Sequence, residues 1–205
     1  MHNNKNRQLF VIISALVIWH LSQIFISSAV NTDNRMIDRL HDLSVIRSMN
    51  KYLKDNIDIT KFHFILTSLL IDINGTYIAL KFLYSNDYKP TIILLGGIIL
   101  RQICQFINSS PMPENVIWLD PNFPAIIVTY YATNDFFFSG HTYISICAGM
   151  EIMKINSVFA KLYAILFIFY EIMFIIVING HYFMDIYGAI ATYFMMTYLT
   201  NKYFN

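Results

Sequence analysis

Long apolar runs, separated by short charged or proline-containing segments, constrain this chain more than any other feature. A helix needs about 20 apolar residues to bridge the roughly 30 Å hydrocarbon layer of a bilayer. Runs of about that length fall at residues 9–30, 62–84, 91–107, 139–154, 162–178 and 183–199. Every backbone N–H and C=O in lipid must find an internal partner, which selects helices over irregular chain. The expected fold class is therefore all-α integral membrane, with about six transmembrane helices forming a single domain over residues 1–205. Composition supports this, because only 13% of residues are charged, against about 25% in soluble domains. That is too few to cover a water-facing surface. The net charge of +1 and the lack of a basic stripe exclude a nucleic-acid partner. Cys104 and Cys147 both lie inside apolar runs, and no CxxC pattern signals a disulfide framework or a thiolate metal site.

The first run follows Lys5 and Arg7, and the small residues Ser27, Ser28 and Ala29 also allow a reading as a cleaved signal peptide. Residues 31–60 are too polar to span. Met36, Leu40, Leu43, Met49 and Leu53 recur there at near-helical spacing, as in an interfacial amphipathic helix, with a solvated loop as the alternative. A linker over 108–137 holds four of the five prolines and no Lys or Arg.

Orientation follows from the retention of Lys and Arg in cytoplasmic loops. With both termini cytoplasmic, that side carries Lys5, Arg7, Lys81, Lys89, Lys154, Lys161 and Lys202. The loops around Phe138 and Asn179 carry no basic residue and meet on the non-cytoplasmic face. Residues 31–61 are the exception, with six basic and five acidic side chains on that face.

Those two loops hold the residues that can do chemistry. One reads Asp135-Phe-Phe-Phe-Ser139-Gly140-His141-Thr142, and the other Asn179-Gly180-His181-Tyr182-Phe-Met-Asp185. His181 and Asp185 are four apart, so one helical face holds both. A carboxylate that accepts from one ring nitrogen leaves the other as a lone-pair donor. Ser139 is the expected N-cap of the fourth helix, and a helix N-terminus favours a phosphate nearby. Each piece also has a plainer reading, as a solvated histidine or a satisfied polar pair. Three ligands split over two loops fit a zinc site poorly, so no metal is expected. Arg101 lies within the third run, about two turns from its outer end. It calls for a partner, either a substrate phosphate or a salt bridge to Asp72 or Glu171. Asp72 and Asn74 read first as interhelical hydrogen-bonding residues.

The D-x-x-F-S-G-H-T stretch at 135–142 and the H-Y-x-x-D stretch at 181–185 resemble the phosphatidic acid phosphatase type 2 (PAP2) superfamily, and within it the sphingomyelin synthase-like branch. An Arg ten residues before a P-x-P, here Arg101, Pro111 and Pro113, is similar to the arrangement in plant phosphatidylcholine:diacylglycerol cholinephosphotransferases. The resemblance covers residues 91–200 and implies a PAP2-like helical bundle. It implies His181 as nucleophile forming a phosphohistidine, Asp185 as its orienting carboxylate and His141 as general acid and base. Arg101, Ser139, Gly140, Asp135 and Tyr182 are the substrate-binding residues it implies, with Tyr130, Tyr131 and Phe136 as aromatic faces for a cationic headgroup. The superfamily's phosphatases carry K-x(6)-R-P and an Arg six residues before the second His. Here Leu94 sits seven before Arg101, Gln102 follows it, and Ile175 sits six before His181. A phosphomonoester dianion would lack those cations, whereas a phosphodiester carries one charge and needs fewer.

The expected activity is transfer of a phosphocholine- or phosphoethanolamine-type headgroup from a phospholipid donor to a lipid-hydroxyl acceptor, ceramide or diacylglycerol, without cofactor. A lipid phosphatase or phospholipase C-like hydrolase is the alternative, and a non-enzymatic lipid-binding membrane protein the second.

Overall fold

The computed structural model describes residues 2–27, 36, 38–85, 87–108, 110–130 and 137–204. Among them the secondary structure is seven helices: α1 (His2–Ser27), α2 (Ser44–Asp55), α3 (Ile57–Tyr84), α4 (Lys89–Ile107), α5 (Gly140–Ile152), α6 (Val158–Val177) and α7 (Phe183–Tyr203). α3 ends before Pro90, which sits in the first turn of α4, where its missing N–H costs no helical bond.

All six expected runs are helical, and among the described residues four of them are long and apolar enough by themselves to cross a bilayer. These are the segments Lys5–Ile24, Ile57–Tyr84, Lys89–Ile107 and Val158–Val177. The run expected at 139–154 forms α5, whose 13 residues rise only about 20 Å. The run expected at 183–199 forms α7, long enough at 21 residues, but its C-terminal part carries Thr197, Thr200, Asn201 and Lys202.

α5 is the axle of the bundle. It packs on α3, α4, α6 and α7 and is buried almost all round, as a helix apolar on every face must be. Gly97 on α4 lets the Tyr143 ring lie against the α4 backbone, where a Cβ would overlap it. The Tyr143 hydroxyl then donates to the Ile93 carbonyl at 2.6 Å. Small residues at crossings bring helices close in just this way. At the far end of α5, Glu151 takes ion pairs from Lys81 and from Lys154, the latter at 2.6 Å.

The 31–60 segment contains the expected amphipathic helix, shifted in register. α2 buries Ile46, Asn50 and Leu53 against α3 and α6, while Met36, Leu43 and Met49 are exposed. Tertiary contact, not apolarity alone, picked the inner face. Asn50 donates to the Val177 carbonyl at 2.8 Å and so clamps the C-terminus of α6.

Candidate active site

The two motifs meet at one end of the bundle, where α5 and α7 begin and α6 ends. Asn179 adopts φ 53°, a left-handed residue that ends α6. Its amide side chain donates to the Glu114 carbonyl at 2.9 Å, and Ile117 N–H donates to the Ile178 carbonyl at 2.8 Å. The proline-containing linker therefore fixes the turn that carries His181. On the other side His41 stacks near Tyr182, and its Nε2 lies 3.1 Å from the His181 carbonyl.

Asp185 occupies the first turn of α7. Its Oδ2 accepts the Tyr182 N–H at 2.9 Å and lies 3.3 Å from His181 Nδ1. That contact is longer than a good hydrogen bond but within ion-pair range. A carboxylate at Nδ1 draws the proton there and leaves the lone pair on Nε2. The Asp185 carbonyl accepts the Ser139 N–H at 3.2 Å, so the two motifs are joined directly. Ser139, fully buried, caps α5 by accepting Thr142 N–H at 3.3 Å.

Arg101, only 5% exposed, reaches the same place from α4. Its Nε donates to the Phe138 carbonyl at 2.6 Å, and a terminal nitrogen donates to Gln105 Oε1 at 2.9 Å. Gly140 sits against this guanidinium: a Cβ there would stand 3.3 Å from Arg101 Nε and 3.5 Å from Cζ. The two carboxylates considered as partners are engaged elsewhere. Asp72 accepts the Ile126 and Ile127 amides at 2.8 Å each, and Glu171 accepts the Thr67 hydroxyl.

Arg101, Gly140, His141, Gly180 and His181 line one cavity of about 70 Å³. At about 10–15 Å³ per water, it admits several waters, the size of a phosphate group. Among the described residues no group of three or more His, Cys, Asp or Glu is placed to hold a metal.

The other expected residues fall elsewhere. Ser139 and Asp185 stand behind the wall and shape it. Tyr182 faces a separate outer groove, and its hydroxyl donates to the Pro111 carbonyl at 3.0 Å. Burial first, then the carboxylates of Asp185, Asp38 and Glu114, pushes that phenol up to about 12, which keeps it a donor. Asp135, Phe136 and Tyr131 lie outside the described residues, whereas Tyr130 does line the cavity.

Trp19 and Gln23 from α1 also line it, with the Trp19 ring 5.5 Å from the Arg101 guanidinium, within cation–π range. A buried glutamine inside an apolar run was the sequence signal for this. Nothing in the sequence placed α1 beside residues 101 and 181.

Comparison with known proteins gives two matches. A family model described as AtPDCT1/2 matches residues 41–202. Phosphatidylcholine:diacylglycerol cholinephosphotransferase 1 of Arabidopsis thaliana is 24% identical over 160 residues, 78% of this chain and 52% of the relative. The chain thus spans about half the length of the curated relative that it matches. No solved structure matches.

Proposed function

This chain belongs to the AtPDCT1/2 family, and from that premise we propose that it is a membrane phosphotransferase moving a phosphocholine- or phosphoethanolamine-type headgroup from a glycerophospholipid to the hydroxyl of diacylglycerol or ceramide. The observation that carries this reading is the shared cavity of Arg101, His141 and His181, with Asp185 behind His181. In the reaction, His181 Nε2 attacks phosphorus as the bond to the diacylglycerol oxygen breaks, and His141 gives that oxygen a proton. The phosphohistidine is then attacked by the acceptor hydroxyl, whose proton returns to His141. Asp185 stabilises the positive ring formed during each displacement, and Arg101 holds the phosphate through charge-assisted hydrogen bonds. One arginine suits a phosphodiester monoanion.

We assign the chain to a PAP2-like, sphingomyelin synthase-like bundle with its site at the non-cytoplasmic face. The helix directions support that side. The motifs lie where α5 and α7 begin, and Lys81, Lys154 and Lys202 lie near the other ends of α3, α5 and α7.

The test uses purified protein in liposomes with headgroup-labelled phosphatidylcholine and either diacylglycerol or ceramide. Label on the acceptor lipid is the expected result, and it should vanish in His181→Ala. Label released as soluble phosphocholine would mean a hydrolase. No turnover with any lipid pair would sink the enzymatic reading.

A further inference from the structure

Beside the histidine cavity lies a second, apolar one of about 150 Å³, between α1, α3 and α4. Its walls are aliphatic apart from Trp19, Thr76 and Thr91. Packed interiors leave few voids of this size; here the small residues Ala15 and Ala79 are on its walls.

Its shape is informative. The lining residues run from Ile12 to Trp19 on α1 and from Thr91 to Ile98 on α4, a rise of about 10 Å along each helix axis. The cavity is therefore elongated parallel to the spans, the direction in which a lipid chain runs. At its upper end Trp19, Ile127 and Ile144 line both this cavity and the one holding Arg101, His141 and His181. A charged, phosphate-sized space stacked end to end on a narrow aliphatic one is complementary to an amphiphile with an anionic head.

The partition is tied in place from both sides. Trp19 Nε1 donates to the Ile127 carbonyl at 3.1 Å, and a His20 ring nitrogen lies 2.9 Å from the Ile126 carbonyl. The amides of the same two residues are held by Asp72 of α3. Trp19 thus lies within cation–π distance of the guanidinium and also lines the aliphatic space. α1 lies before the stretch that matches the family model.

We propose that the α1–α3–α4 cavity holds an acyl chain of the lipid whose headgroup phosphate sits at Arg101, His141 and His181, with Trp19 standing between chain and phosphate. This deepens the transferase reading and rests on it for the identity of the head. A tail in the bilayer is already out of water, so the cavity adds position rather than hydrophobic affinity. It brings the phosphate to the histidines while the tail stays in an apolar medium.

The test is photolabelling of the full chain in liposomes containing phosphatidylcholine with a diazirine midway along one acyl chain, with adducts mapped by peptide. The expected result is label on residues 12–19 and 91–98 at least about fivefold denser than on Leu166 and Phe169, which are exposed on α6. Ala79→Phe should remove that excess and leave the α6 label; Leu94→Phe fills the same space from the opposite wall should the first variant fail to fold. Equal label density across these surfaces in the wild-type chain would overturn the proposal, as would an excess that both filling variants retain. Labelling needs no turnover. Dense cavity label without headgroup transfer would therefore retire the transferase reading and keep the acyl site. Transfer with even labelling would do the reverse.

Discussion

Replacing Asp185 by Asn separates charge from architecture at the proposed nucleophile. Oδ2 accepts the Tyr182 N–H at 2.9 Å and lies 3.3 Å from His181 Nδ1. An amide oxygen in the same position still accepts the Tyr182 N–H, so the first turn of α7 loses about 1 kcal/mol or less. What disappears is the negative charge facing the imidazole ring when its other nitrogen bonds to phosphorus. Two unit charges 3.3 Å apart attract by about 5 kcal/mol at an effective dielectric of about 20. The ring spreads its positive charge and the cavity admits water, so roughly 3–4 kcal/mol of that acts in the transition state. Turnover of Asp185→Asn should then fall about 10²- to 10³-fold. The donor KM should hardly move, because Asp185 stands behind His181 and does not line the cavity. The assay is headgroup transfer in liposomes across a donor series, beside a thermal melt of both proteins in detergent. A variant that melts like the wild type and keeps turnover within about threefold would show that Asp185 merely caps α7, and the charge argument would fail.

Three further outcomes follow from the same geometry. Arg101→Gln should weaken donor binding by about ten- to a hundredfold, the worth of about 1.5–3 kcal/mol for a hydrogen bond to a charged group, seen as a raised KM; unchanged donor affinity would remove Arg101 from the phosphate site. Gly140→Ala should push the guanidinium by a few tenths of an ångström, since its Cβ would stand 3.3 Å from Arg101 Nε, and lower turnover about tenfold with the melting temperature little changed. Asp72→Ala strands the Ile126 and Ile127 amides and should destabilise the protein by about 2 kcal/mol, read as a lower melting temperature together with faster proteolysis of the 108–130 linker.

Much of the helical layout is legible in the residues because a bilayer imposes a length and a polarity that a linear pattern records. The runs at 62–84, 91–107 and 162–178 reappear as α3, α4 and α6 with ends shifted by a few residues. The runs at 139–154 and 183–199 reappear too, as α5 and α7, although α5 is shorter and α7 more polar at its C-terminal end than the other four. The apolar side chains of α5 are buried against other helices, whereas α7 leaves Met184, Tyr187, Phe194 and Tyr198 exposed, and a hydropathy pattern cannot tell protein from lipid as the apolar neighbour. The four-residue spacing pointed to the His181–Asp185 contact, but not to its geometry: His181 precedes the N-cap Tyr182, so the two share no helical face and the carboxylate reaches back from the first turn of α7. The cap at Ser139 was legible, because it is a contact within one turn.

Contacts between distant segments were decided only by the tertiary structure. No spacing rule sets Arg101 on the Phe138 carbonyl, 37 residues away, or Trp19 on the Ile127 carbonyl, 108 away. Those pairings depend on which glycines let helices approach and on which buried carboxylate takes which amide. The sequence by itself determined that this chain forms membrane-length helices with two histidine motifs near helix ends. Packing around α5 decided that both motifs open on one cavity, and that an N-terminal helix closes its side, because side-chain shape and buried hydrogen bonds select neighbours that a linear pattern does not encode.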